Sequence, residues 1–123
     1  MRDIGELWEN ATLLHLRKAG LREIARNFSC RYGEIDLIMN DDGGRERYCT
    51  VFVEVRYRNS SARGGGLASV GPAKRTKLLR TAAIYLQENP RLANLPCRFD
   101  VVACNGTPQQ PSFDWVRGAI EAT

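Results

Sequence analysis

The chain has 123 residues, of which 43% are hydrophobic and 26% are charged, and its formal net charge is +4. These values are typical of a single globular domain spanning residues 1–123, and a mildly basic balance permits a polyanionic partner without requiring one. Because no apolar run is long enough to cross a bilayer and the N-terminus lacks the apolar core of a signal peptide, we expect a cytoplasmic protein with no membrane partner.

The hydrophobic pattern predicts helices and strands in a mixed order along the chain. The first helix runs from about Glu6 to Ala19, because Gly20 is a typical residue after a helix C-terminus. The later predicted elements are a short strand at Leu21–Phe28, strands at Gly33–Ile38 and Val51–Arg56, a helix at Pro72–Glu88, a strand at Cys97–Cys104, a loop at Asn105–Ser112, and a strand or helix at Phe113–Ala122. This α-β-β-β-α-β order with a tail indicates an α/β protein with a mixed sheet and helices on its faces.

Two of the predicted strands each interrupt an apolar run with a carboxylate. Asp36 lies in the first of them and Glu54 in the second, and the turn signal at Asp41–Gly44 favours an antiparallel hairpin that brings both acids side by side. Strict alternation would put Glu34, Asp36 and Ile38 on one face, opposite Ile35, Leu37 and Met39. Two close carboxylates repel each other, and Mg²⁺ or Mn²⁺ with oxygen ligands would resolve that repulsion.

A third acid and one cation belong to the same hypothesis. Glu9 falls between Leu13 and Leu16 on an apolar side of the first helix. It is either an edge residue that reaches solvent, a partner of a neighbouring arginine, or a third ligand of the metal. Arg56 follows Glu54 by two residues and shares its side of the strand, where it can stabilise the attacking hydroxide or the phosphate.

The segment from Arg56 to Arg80 contains no acidic residue and includes a glycine-rich stretch. Its basic side chains, together with the start of the second helix, favour phosphate binding, although a solvated basic face is an equally good interpretation. The expected nucleic-acid contacts are Arg58, Arg63, Lys74, Arg75 and Lys77.

Cysteine and histidine residues offer no second site. The four cysteines have no CxxC spacing, so we expect buried free thiols rather than a zinc site or disulfides. His15 is the only histidine and lies among leucines, which favours a packing or surface role.

Almost the whole chain resembles the bacterial YraN family. The matching residues are Trp8-Glu9 with Ala11, Arg31-Tyr32-Gly33-Glu34-Ile35-Asp36-Leu37-Ile38, Val51-Phe52-Val53-Glu54-Val55-Arg56-Tyr57-Arg58, Lys74, and Arg98-Phe99-Asp100-Val101-Val102. The resemblance implies a restriction-endonuclease-like fold related to archaeal Holliday-junction resolvases. It also implies metal-binding acids at Glu9, Asp36 and Glu54, and a catalytic lysine position occupied here by Arg56. Arginine cannot act as a base in practice, so this departure puts the mechanism in question.

Three functions follow from these residues, and we rank them in this order. The first is a metal-dependent endonuclease that hydrolyses DNA, including branched DNA. The second is a DNA-binding protein on a nuclease fold that has lost turnover, and the third is an adaptor whose basic helix binds an acidic protein. Resolvase-like folds often form dimers, so a homodimer is compatible with the resemblance.

Overall fold

The computed structural model describes residues 3–43, 48–57 and 70–120. The elements are α1 (Ile4–Lys18), β1 (Arg22–Cys30), β2 (Gly33–Asp41), β3 (Cys49–Tyr57), α2 (Pro72–Glu88), α3 (Pro90–Ala93), β4 (Cys97–Thr107) and β5 (Gln110–Ile120). The strands form one mixed five-stranded sheet in the order β1-β2-β3-β4-β5, in which only β3 and β4 are parallel. The predicted α-β-β-β-α-β order is confirmed, and the architecture is compatible with a restriction-endonuclease-like fold.

The two long helices lie on opposite faces of the sheet, and each covers its own apolar core. The α1 core contains Trp8, Leu13 and Leu16 of the helix, with strand residues Leu37, Met39, Val51, Val53 and Val102. The α2 core contains Leu78, Ala82 and Tyr85 of the helix, with strand residues Ile35, Ile38, Phe52 and Phe99. Because both faces are covered, β3 at the centre of the sheet has buried apolar residues on both sides.

The start of α1 and the whole of α2 follow from local sequence signals. The Asp3 carboxylate accepts a hydrogen bond from the Gly5 N–H at 3.0 Å and caps α1, which therefore begins two residues before the predicted start. Gly20, at φ +102°, lies just beyond its C-terminus. The predicted bounds of α2 are confirmed, with Pro72 at its first position.

The predicted alternation of β2 is wrong at Asp36. Ile35 lies in the α2 core with Ile38, whereas Leu37 and Met39 lie in the α1 core. The pairing with β1 is also irregular there, since Asn27, opposite this point, has φ +51°. A local distortion of β2 therefore separates the acidic part of the strand from its regular part.

The C-terminal part of the chain is more regular than predicted. The expected loop at Asn105–Ser112 is instead the end of β4, a two-residue turn and the start of β5. Gly106 makes this tight hairpin feasible, because it has φ +82° and a Cβ there would lie 2.5 Å from the Gln110 carbonyl oxygen. Of the two alternatives for the tail, the strand is confirmed as far as Ile120.

A buried carboxylate ties β4 to β5. Asp100, which is 1% exposed, accepts hydrogen bonds from Arg98 Nε at 3.0 Å, Trp115 Nε1 at 2.9 Å and the Gly118 N–H at 3.0 Å. Arg98 also donates a hydrogen bond to Asp41 at 2.9 Å. Burial raises the pKa of the Asp41 carboxyl, but the contact with Arg98 lowers it, and the pKa lies below its usual value. Asp100 is therefore a structural residue paired with Arg98, and not part of the acidic site.

No helix in the described part of the chain combines the length and the apolar character that a bilayer crossing requires.

We expect Asp100→Asn to lower the free energy of unfolding by about 3 kcal/mol, because it leaves Arg98 without its buried carboxylate. Urea denaturation measures this loss, with Asp114→Asn on the exposed side of β5 as the matched control. Equal stability of the two variants would contradict the structural role of Asp100.

Candidate active site

Five carboxylates line one polar pocket of about 340 Å³ at the point where β2 and β3 separate. Four of them come from α1 (Glu9), β2 (Glu34 and Asp36) and β3 (Glu54), and the fifth is Asp3, which caps α1. The other described residues that line the pocket are Gly5, Val55, Tyr57 and Lys74. The sequence prediction that Glu9, Asp36 and Glu54 come together is consistent with this arrangement.

Asp36 occupies the place where the ladder between β2 and β3 ends. The last regular pair is Leu37 with Val53, and beyond it the Asp36 carboxylate accepts a hydrogen bond from the Val55 N–H at 2.8 Å. A side chain thus replaces the main-chain acceptor that a continuing strand would supply. This exchange keeps the Val55 N–H paired while β2 turns away from β3.

The same carboxylate has a strongly perturbed acidity. Burial is the largest cause, and the negative charges of Glu54 and Glu9 add to it, while the hydrogen bond from the Val55 N–H acts in the opposite direction. Together they raise the pKa of Asp36 to about 7. At neutral pH a large fraction of the molecules therefore carry a proton on Asp36.

Glu54 and Glu9 are held by nearby cations. Glu54 lies 3.4 Å from the Lys74 ammonium and 3.6 Å from Arg56 Nε, and only 11% of its side chain is exposed. Glu9 lies 3.5 Å from an Arg26 guanidinium nitrogen. Pairing of Glu9 with an arginine, one of the open interpretations, is confirmed. All three distances exceed that of a close hydrogen bond, so charge attraction rather than fixed geometry holds these contacts.

The cation at the pocket is not the one that the sequence singled out. Lys74, predicted only as a nucleic-acid contact, is among the residues that line the pocket. Arg56 instead contacts Glu54 and is not among the described residues that line it. The parallel pairing of β3 with β4 requires a crossover, and this crossover places the first turn of α2 beside the end of β3.

Glu34, like Asp3, is a pocket carboxylate to which the sequence patterns assigned no role. Its position two residues before Asp36 predicts a shared face, and this signal was available from the strand alone. Its side chain is exposed, which distinguishes it from the half-buried Asp36.

The other predicted nucleic-acid contacts divide into two groups. Arg75 and Lys77 are exposed on α2. Arg58 and Arg63 lie outside the described residues.

Among the described residues, no three histidine, cysteine, aspartate or glutamate side chains are arranged as a preformed metal site. The carboxylates of the pocket nevertheless have the donor chemistry that Mg²⁺ and Mn²⁺ prefer. Asp36 and Glu54, whose negative charges repel each other, are also the acids that a cation would stabilise.

The cysteines and the histidine are packed away from the pocket. All four cysteines are free thiols, as predicted, but only Cys104 is buried and the other three are half-buried. His15 stacks on Phe113 with ring centroids 4.4 Å apart, which confirms its packing role.

Comparison with known proteins identifies the family. Residues 8–104 match the model of a family described as "Uncharacterised protein family UPF0102". This range contains Lys74 and all the carboxylates of the pocket except Asp3.

Several bacterial relatives are similar over nearly their full length. A UPF0102 protein of Ectopseudomonas mendocina is 48% identical over 120 residues, which cover 98% of this chain and 96% of the relative. UPF0102 proteins of Stutzerimonas stutzeri and Xylella fastidiosa are each 46% identical, covering 96% and 97% of this chain and 94% and 93% of the relatives. The chain therefore belongs to the UPF0102 family, as its resemblance to YraN proteins implied.

Proposed function

We propose that this protein is a metal-dependent endonuclease that hydrolyses phosphodiester bonds in DNA. The observation that carries the proposal is that Asp36 and Glu54 line one pocket, where burial and the negative charge of Glu54 help to raise the pKa of Asp36 to about 7. Two half-buried acids in one pocket repel each other unless a proton or a cation lies between them. A metal-dependent nuclease needs a cation between these two acids, whereas their repulsion would only destabilise a pocket with a purely structural role.

Glu9, Asp36 and Glu54 are the residues that would hold Mg²⁺ or Mn²⁺. When bound, such an ion lowers the pKa of a water molecule and offsets negative charge on the phosphate. Ionisation of Asp36 above its pKa of about 7 makes its carboxylate available to the metal. The contacts of Glu9 and Glu54 with cations are long enough to be exchanged.

Lys74 is the group that would contact the scissile phosphate or the attacking water. Its ammonium lies at the pocket and, unlike a guanidinium, can give up a proton when desolvated. Arg56 would then act as a positioning residue that holds Glu54. This division of roles removes the difficulty raised by an arginine at the position where the resemblance implies a lysine.

Basic residues on α2 and in the segment before it would hold the DNA backbone. Arg75 and Lys77 follow Lys74 along α2, and Arg58 and Arg63 belong to the basic segment that precedes it. Such contacts position the DNA without reading its sequence.

A second candidate, DNA binding without cleavage, is favoured by one observation. Lys74, Arg56 and Arg26 already compensate the charges of Glu54 and Glu9 without a metal. In that case the pocket would bind no metal, because basic side chains of the protein already compensate its acids.

We expect Asp36→Asn and Glu54→Gln to reduce Mn²⁺-dependent cleavage of DNA at least about 100-fold, because each removes an oxygen ligand of the metal. Lys74→Met should also lose cleavage. The assay compares branched, single-stranded and linear duplex substrates, with Glu88→Gln at the exposed end of α2 as the control. Equal cleavage by the wild type and Asp36→Asn would assign the activity to a contaminant.

The stability of the wild type should fall relative to Asp36→Asn as the pH rises. The pKa of Asp36 is raised from 3.8 to about 7 by folding, so its contribution to stability is complete below pH 3.8 and is lost as the pH rises to 7. Urea unfolding of both proteins between these limits measures the difference. Addition of Mn²⁺ at pH 8 should restore the stability of the wild type only. Parallel pH profiles would contradict the raised pKa of Asp36.

We expect the double variant Arg75→Ala/Lys77→Ala to weaken DNA binding and to reduce the slope of log affinity against log salt by about 2. Fluorescence anisotropy at several salt concentrations measures this slope. Arg91→Ala, which removes one exposed positive charge from α3, is the control and should change the slope little. An unchanged slope in the double variant would exclude α2 from the contact surface.

A further inference from the structure

We propose that Arg31, Tyr32 and Arg80 form a stacking platform for an unpaired nucleotide base beside the acidic pocket. The inference rests on the proposed function in that it takes a nucleic acid as the ligand. It goes further by naming the substrate class, which is a nucleic acid with a single-stranded or otherwise unpaired segment. We call these three residues the Tyr32 platform.

The platform is assembled from two separate elements. Tyr32 lies in the turn between β1 and β2, and its ring centroid is 4.8 Å from the guanidinium carbon of Arg31 and 5.5 Å from that of Arg80 on α2. Arg31 Nη2 also donates a hydrogen bond to the Tyr32 hydroxyl at 2.8 Å. Both guanidinium groups are thus held against the same aromatic ring, within the range of cation–π attraction.

The platform remains accessible and positively charged. Arg31 and Arg80 are exposed and Tyr32 is half-buried. Neither arginine has an ion pair with an acid among the described residues, and α2 carries only one acidic residue, Glu88 at its far end. If Arg31 and Arg80 only anchored the turn to α2, their charges would not need to be exposed to solvent without an acidic partner.

A continuous basic row connects the platform to the acidic pocket. Lys74, Lys77 and Arg80 recur at three-residue intervals, which places them on successive turns of α2 over about 9 Å. Lys74 lines the pocket, and Arg80 contacts Tyr32. A strand whose phosphates follow this row can therefore place a base on the platform and a phosphodiester bond at the acids.

The turn and α2 are close enough to act as one surface. A Cβ at Gly33, the residue after Tyr32, would lie 3.8 Å from Lys77 Cβ and 3.4 Å from the Thr81 hydroxyl. Glu34 follows and lines the pocket. The stretch from Arg31 to Asp36 therefore extends from the platform to the acids without interruption.

Stacking chemistry selects the ligand class. Bases inside a duplex are stacked on both sides, whereas an unpaired base can place its face on a tyrosine ring or a guanidinium plane. Every base has such a face, so the platform would recognise the unpaired state rather than a sequence. An acidic protein would use the arginine charges but would gain nothing from the aromatic ring.

The test measures binding of labelled single-stranded and blunt duplex oligonucleotides of equal length by fluorescence anisotropy in EDTA. Tyr32→Ala should weaken binding of the single strand about tenfold and change duplex binding by less than about twofold, and Tyr32→Phe should stay within about twofold of wild type for both. Tyr32→Leu retains apolar bulk without a flat ring and should repeat the Tyr32→Ala result. Arg91→Ala is the control for loss of charge alone and should affect both ligands equally.

Circular dichroism melting verifies that each variant is folded, and Tyr32→Leu replaces Tyr32→Ala if the latter is not. Equal losses for single strand and duplex, or an equal loss in Tyr32→Phe, would overturn the platform. Displacement of the single strand by a polyglutamate peptide at comparable concentration would overturn it in favour of an acidic protein partner. Because no metal is present, a positive result stands even if the protein does not cleave DNA, and a negative one leaves the cleavage assay unaffected.

Discussion

The site depends on one hydrogen bond, from the Val55 N–H to the Asp36 carboxylate. Separation of two neighbouring strands inside a sheet normally leaves main-chain donors and acceptors unpaired, which is costly when they are buried. Here the side chain of Asp36 supplies the missing acceptor. The strands can therefore diverge at this point, and the gap between them becomes a polar pocket.

That gap explains how residues from opposite sides of the sheet meet. α1 and α2 cover different faces and belong to separate cores, yet Glu9 of α1 and Lys74 of α2 line the same pocket. A continuous sheet would keep them apart, because strands lie only about 4.8 Å from each other and close-packed side chains fill both faces. The distortion of β2 is thus a requirement of the site and not a defect of the fold.

Much of the architecture was predictable because it depends on local patterns. The apolar periodicity of α2 with Pro72 at its start defined that helix, and the apolar strands around Asp36 and Glu54 defined the hairpin. The alternation of β2 was mispredicted because period-2 reasoning assumes an unbroken ladder, whereas a tertiary contact of Asp36 breaks it. The short turn before β5 was predicted as part of a longer loop because this segment contains two prolines. Gly106 instead makes a tight hairpin possible there.

The candidate site was predictable in its acids but not in its cations. Glu9, Asp36 and Glu54 were identifiable because a carboxylate within an apolar run is unfavourable unless it has a partner or a function. Lys74 was placed among the exposed contacts because its proximity to Glu54 arises from the crossover between parallel strands, which sequence spacing does not encode. The same holds for Arg80 and Tyr32, which are far apart in the sequence and meet only when α2 packs on the sheet.

The parallel pairing of β3 with β4 also has a consequence for the order of folding. The β1-β2-β3 meander needs only short connections, whereas β4 can join β3 only after the chain has passed through α2 and α3. Pairings between distant segments form slowly because loop closure must precede them. Contacts within the meander are therefore local in sequence, whereas the contact of Glu54 with Lys74 requires the crossover to be in place. Folding kinetics of this chain should thus be sensitive to the ionisation of that nascent meander.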